Sequence, residues 1–228
     1  MRRTTIPTPD VRKQNQAFYE FMVPLVKGYS TEMSLEVTSL GVQVHGGMGF
    51  IEETGAAQYY RDAKILTIYE GTTAIQANDL VGRKTARDGG QVAKAIAKQI
   101  EATEAALAKR DSVAARAMLK RLSAAREAFV QVVDFIAANT RSNPNAAFAG
   151  SVPYLMLGGN LMAGWQMARS LLIAEEQLAD GSGDAAFLKA KVATARFYAD
   201  HLLSKAPATR DAIVEGADSV TALALESF

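Results

Sequence analysis

Apolar residues recur at three-to-four spacing along almost the whole chain, which is the period of an amphipathic α-helix. From about Lys13 the stripe runs through Phe18, Phe21, Met22, Leu25, Val26 and Tyr29. Pro24 falls inside it and predicts a kink or restart, because proline lacks an amide proton and crowds the preceding turn. The stripe resumes at Met33, Val37, Leu40 and Val44, then stops at Gly46, Gly47 and Gly49. A short helix is expected over Ala56–Ile65, and Leu66–Gly71 reads as a turn or extended link. Thr73 with Gln76 three residues on has capping-box spacing, which predicts a helix from about Ala74 to Arg87.

Asp88-Gly89-Gly90 ends that helix and marks the best boundary in the chain. Beyond it the composition shifts toward alanine. Long helices are expected over Val92–Lys109 and Val113–Ala138, followed by a loop from Asn139 to Ser151. Pro153 suits the first turn of a further helix reaching Leu178. Gly181-Ser-Gly183 separates this from a helix over Ala185–Ser204, and a short helix follows Pro207. There are no hairpin signals, sustained period-two runs or repeats, so the expected fold class is all-α. Three parts follow: a flexible leader at 1–12, a helical segment at 13–90 and a helical module at 91–228.

Composition narrows the chemistry. The chain has 228 residues, 49% of them hydrophobic, which is enough for a substantial core. Lys and Arg total 25 against 24 Asp and Glu, so no net field favours nucleic acid or an anionic membrane. The absence of cysteine removes disulfides, thiolate catalysis and thiolate metal sites. Two histidines, His45 and His201, lie far apart and argue against a histidine-held metal. No run reaches the roughly 18 apolar residues of a membrane helix. The leader has no apolar stretch behind Arg2-Arg3, so it does not read as a signal peptide, and a cytoplasmic setting is expected.

Three local features could carry chemistry. Gln43-Val-His-Gly-Gly-Met-Gly49 could bring backbone close to a ligand, or be a helix cap and turn. Tyr69-Glu70-Gly71-Thr72-Thr73 sets a carboxylate just before a helix, with two threonines able to cap it or reach a phosphate or ribityl hydroxyl. Glu70 could equally favour the positive end of the helix dipole and nothing more. Arg61-Asp62 reads as a local or interdomain ion pair, and Glu52-Glu53 as a solvated loop. His201 and Trp165 read as packing residues.

Taken together, Gln43–Gly55, Tyr60-Arg-Asp-Ala-Lys-Ile65 and Ile68-Tyr-Glu-Gly-Thr-Thr-Ala-Ile-Gln76 resemble the acyl-CoA dehydrogenase family in motif order and spacing. Two downstream stretches, Tyr154–Arg169 and Ala195–Ser219, resemble the extra C-terminal helical module of its longer members. The resemblance implies part of the family's C-terminal helical bundle at 13–90, with the additional module at 91–228. It makes Glu70 the base that removes the α-proton of an acyl-CoA thioester while the β-hydrogen leaves as hydride to FAD. Such a base needs a pKa raised by apolar surroundings, and the Glu70 N–H would polarise the thioester carbonyl. Tyr69 and Gly71 would border the substrate. Thr72 and Thr73 would lie near the flavin, and Gln43, Val44, His45, Gly46 and Gly47 would touch the FAD of a neighbouring subunit.

One departure stands out: Ala74 occupies a position where some relatives carry a polar flavin contact. The partners implied are an electron-transfer flavoprotein and further copies in a homodimer or homotetramer. Domains preceding this segment in the family hold most of the flavin surface, so the isolated chain is expected to be inactive. An acyl-CoA oxidase, passing electrons to oxygen, and a non-catalytic oligomerisation or scaffold module are the alternatives.

Overall fold

The computed structural model describes residues 8–227, and all regular structure among them is helical. Most of the leader expected at 1–12 lies outside the described residues. Its last four residues are already the first turn of α1, Pro9–Val44, because Thr8 caps that helix and Pro9 suits its first position. Thr8 Oγ1 accepts from the Val11 N–H at 3.4 Å.

Helix α1 continues through Pro24 over 36 residues, without the restart. The reason is packing. Phe21, Pro24, Leu25 and Gly28 form one buried face, and burial there offsets the roughly 3 kcal/mol that an interior proline costs. After a short α2, Gly47–Phe50, and a 3₁₀ turn at Glu52–Thr54, the chain doubles back as α3, Ala56–Leu66. It then turns into α4, Thr73–Asp79.

The capping residue of α4 is Thr72, one position earlier than the spacing suggested; its Oγ1 accepts from the Ile75 N–H at 3.3 Å. Nor does α4 continue as a plain α-helix to Arg87. Residues 80–85 form a π-helical stretch and 86–88 a 3₁₀ turn. The widened turn carries Thr85 into the core, where its hydroxyl lies 2.9 Å from that of Tyr154. Both residues are fully buried, so each satisfies the other.

Helices α5 (Gln91–Leu107), α6 (Val113–Asn139), α8 (Ser151–Asp180), α9 (Ala185–His201) and α10 (Ala206–Val214) make the rest of the body. The segment expected as a loop at 139–151 contains α7, Pro144–Ala149. Asn143 caps it through Oδ1 to the Ala146 N–H at 3.2 Å, so the Asn-Pro pair is a helix start. Phe129 centres the core, edge-on to Phe21 (6.4 Å between centroids) and stacked on Tyr154 (5.7 Å). Helices α5 and α6 are cross-linked where Arg126 donates to both carboxylate oxygens of Glu104, at 2.8 and 3.0 Å. Helix α8 lies so close to α1 that a Cβ on Gly159 would stand 2.2 Å from the Tyr29 ring. The Tyr29 hydroxyl is fixed in turn by Tyr198 at 3.0 Å, and Tyr198 donates to Asn160 Oδ1 at 2.8 Å.

Trp165 does pack, and its Nε1–H donates to Thr103 at 2.8 Å. His201 is instead exposed on the last turn of α9, 4.5 Å from the Phe197 ring. Arg61 pairs with Glu52 at 2.8 Å, across the turn from α3, and not with its neighbour Asp62. Both partners are exposed, so the pair contributes little. Among the described residues, no helix is long and apolar enough to cross a membrane.

Candidate active site

The antiparallel course of α1 and α3 sets the geometry. Helix α3 returns along α1 until its C-terminal end reaches Lys27, and the Thr67–Thr72 turn begins there. The turn closes on itself, with the Thr73 N–H donating to the Thr67 carbonyl at 3.3 Å. Lys27 Nζ donates to the Tyr69 carbonyl at 3.2 Å and to that of Leu66, and it lies 5.2 Å from the centre of the Tyr69 ring. On the far side, the Thr73 hydroxyl donates to the Glu32 carboxylate. Two side chains of α1 therefore hold the turn from both ends.

Between those anchors the backbone is unusual. Glu70 has φ 49°, the one positive value at a non-glycine position among the described residues. Gly71 follows at φ 93°, and a Cβ there would meet Gln76 Nε2 at 2.5 Å. A left-handed glutamate costs about 1–2 kcal/mol, and such strain persists only where the surroundings over-determine it. The Glu70 side chain is exposed, as is Tyr69. Among the described residues, no acceptor is paired with the Glu70 N–H. The site thus presents a solvent-facing carboxylate beside an open backbone donor, on a turn with little freedom to move.

The other candidate segment lies elsewhere. Gln43 and Val44 finish α1, and His45 caps it, with Nδ1 lying 2.8 Å from the Gly41 carbonyl. Gly46 takes φ 60° to start α2, and open space lies over both Gly46 and Gly47. All five residues from Gln43 to Gly47 are exposed. Sixteen residues of continuous helix separate Lys27 from Gln43, about 24 Å at 1.5 Å per residue. Tyr69, Glu70, Gly71, Thr72 and Thr73 are gathered into one site, and Gln43–Gly47 form a second surface at the far end of the arm. Ala74 is exposed at the start of α4.

Neither Lys27 nor Glu32 stands out from sequence alone. Both lie on α1 about 40 residues from what they hold, and neither belongs to a local motif. One signal was available in principle: a tight turn leaves carbonyls that need donors from somewhere.

Residues 10–85 match the family described as acyl-CoA dehydrogenase, C-terminal domain, and residues 92–224 match that described as acetyl-CoA dehydrogenase C-terminal like. A relative from Ruegeria pomeroyi, 3-methylmercaptopropionyl-CoA dehydrogenase, is 54% identical over 95% of this chain and 36% of its own length. The chain belongs to the acyl-CoA dehydrogenase family. Two more distant relatives agree with that placement. The broad-specificity linear acyl-CoA dehydrogenase FadE5 of Mycobacterium tuberculosis is 35% identical over 85% of this chain and 33% of its own. A butyryl-CoA dehydrogenase of Syntrophomonas wolfei is 30% identical over 90% of this chain and 34% of its own. The chain spans about a third of the length of the curated relatives it matches.

Proposed function

We propose that this chain supplies the catalytic base of an FAD-dependent acyl-CoA dehydrogenase, with Glu70 removing the α-proton of an acyl-CoA thioester. The observation that carries the reading is the left-handed Glu70-Gly71 pair, clamped from α1, its carboxylate and N–H without partners among the described residues. Glu70 accepts the α-proton at a carboxylate oxygen. The Glu70 N–H donates to the thioester carbonyl oxygen, stabilising the negative charge that gathers there as the proton leaves. Tyr69 and Gly71 border the reacting carbons and fix their distance from the carboxylate.

FAD, when bound, supplies the acceptor for the β-hydrogen, which leaves as hydride. Thr72 and Thr73 lie on the same turn and fit a role beside it. The Thr73 hydroxyl proton is already committed to Glu32, so Thr73 would accept and not donate. The open backbone at Gly46 and Gly47 suits close approach by a flat group. Lying beyond Gln43, itself about 24 Å along α1 from Lys27, it would serve a different flavin, which favours at least a homodimer. Glu70 is solvent-exposed, so the apolar cover that a carboxylate base requires would come from polypeptide outside these residues. On this reading the isolated chain is inactive. Electrons would pass on to an electron-transfer flavoprotein; a relative 42% identical over 23% of this chain is named as a subunit of a caffeyl-CoA reductase–Etf complex.

The test is Glu70→Gln in the flavin-loaded enzyme that contains this chain. Removing a general base costs about 10²- to 10⁴-fold in turnover, and turnover near the original value would sink the assignment. Peroxide yield under air separates a dehydrogenase from an oxidase.

A further inference from the structure

We infer that Lys27 is a positioning residue for this reaction, acting on substrate through the peptide group that joins Tyr69 to Glu70. The inference rests on the reading of Glu70 as the base and adds a second component to it. The Tyr69 carbonyl and the Glu70 N–H belong to one planar amide. Lys27 Nζ donates to that carbonyl at 3.2 Å, and the N–H at the other end of the amide has no acceptor among the described residues. A cation on the oxygen draws electron density through the amide and makes its N–H a stronger donor, as in any polarised hydrogen-bond chain. Bonds with an ionised partner are also roughly twice as strong as neutral ones.

The surroundings favour this use of the ammonium. Lys27 is half-buried, so its charge is less screened than that of a free surface lysine. Leu66, its other acceptor, ends α3, where a cation meets the negative end of the helix dipole. Two carbonyls and the Tyr69 ring together surround it, and no carboxylate salt bridge competes for it among the described residues. Glu32 anchors the opposite end of the turn through Thr73. The Glu70 N–H points away from Lys27, because the carbonyl and N–H of a trans amide lie on opposite sides.

The experiment uses the flavin-loaded enzyme that contains this chain, with Lys27→Met, Lys27→Gln and Lys27→Arg. Methionine keeps the aliphatic stem and removes the charge. Glutamine offers a neutral donor in case the methionine variant fails to fold. Losing an oxyanion donor outright costs 10²- to 10³-fold, so weakening one through its amide should lower kcat about tenfold. KM should move by less than about threefold, since the contact tightens in the transition state.

The deciding readout is the infrared carbonyl stretch of a bound enoyl-CoA thioester labelled with ¹³C at the carbonyl. It should move toward its free-solution value in Lys27→Met and Lys27→Gln, and return with Lys27→Arg. An unchanged stretch in both neutral variants overturns the inference even if turnover falls, because the lysine would then be only a clamp. Glu70→Gln, run in parallel, keeps the two readings apart. Full turnover there removes the base assignment, while the carbonyl stretch still decides Lys27.

Discussion

At residue scale, charge and backbone strain are placed where neighbours hold them. The Glu104–Arg126 pair shows how firmly. Its guanidinium and carboxylate are nearly enclosed, and the two hydrogen bonds between them are parallel. Removing one partner leaves the other charged and short of water. Arg126→Ala should therefore cost about 3 kcal/mol, read as a lower urea midpoint with unchanged m-value. Arg126→Met combined with Glu104→Leu should recover most of that loss, since the pair itself adds little beyond an apolar contact of the same volume.

Helices were legible in the sequence wherever an apolar stripe met a clear cap, and less so where a distant contact decided the outcome. The Asp88-Gly89-Gly90 stop is real, and Asp88 also accepts from the Gly90 and Val92 N–H groups at the start of α5. Pro24 does not restart α1, because the burial that offsets its local cost comes from packing against other helices, which local sequence does not show. By sequence either threonine at the α4 start could cap; Glu32, forty-one residues before Thr73, takes Thr73 and leaves Thr72 for the cap. Glu70 could be singled out from its motif. The lysine that fixes its amide could not, because nothing within ten residues refers to it.

At element scale, the α1–α8 contact is the one with least tolerance. The Tyr29 ring lies against Gly159 and is tied by its hydroxyl to Tyr198, so it cannot swing aside cheaply. Gly159→Ala should destabilise the chain by about 1–3 kcal/mol through overpacking, despite the better helix propensity of alanine. Denaturant unfolding checks it. A second change, Tyr29→Leu, should relieve much of the loss if the clash is the cause.

For the whole molecule, three tyrosines in the body act together at high pH. Burial raises the ionisation of Tyr154, Tyr29 and Tyr198 above the usual tyrosine range. A group whose folded-state pKa is raised keeps its full contribution to stability below its unfolded value, about 10 for tyrosine. That contribution is lost as pH climbs toward the folded value, because the unfolded chain sheds the proton first. Stability should be flat through neutrality and fall above about pH 10. Tyr154→Phe should flatten the fall, at the cost of an unpaired Thr85 hydroxyl at neutral pH. Thermal melts from pH 8 to 11.5 test both points.

The π-helical stretch at 80–85 has a consequence best put in terms of counting. Such a stretch amounts to one residue more than an α-helix of the same rise would contain. Each residue of an α-helix turns the chain by about 100°. A one-residue deletion there would restore an ordinary helix. It would also turn Thr85 about 100° around the axis relative to α4, out of register with the Tyr154 hydroxyl it pairs with. The buried pairing of Thr85 with Tyr154 thus depends on an arithmetic surplus of one.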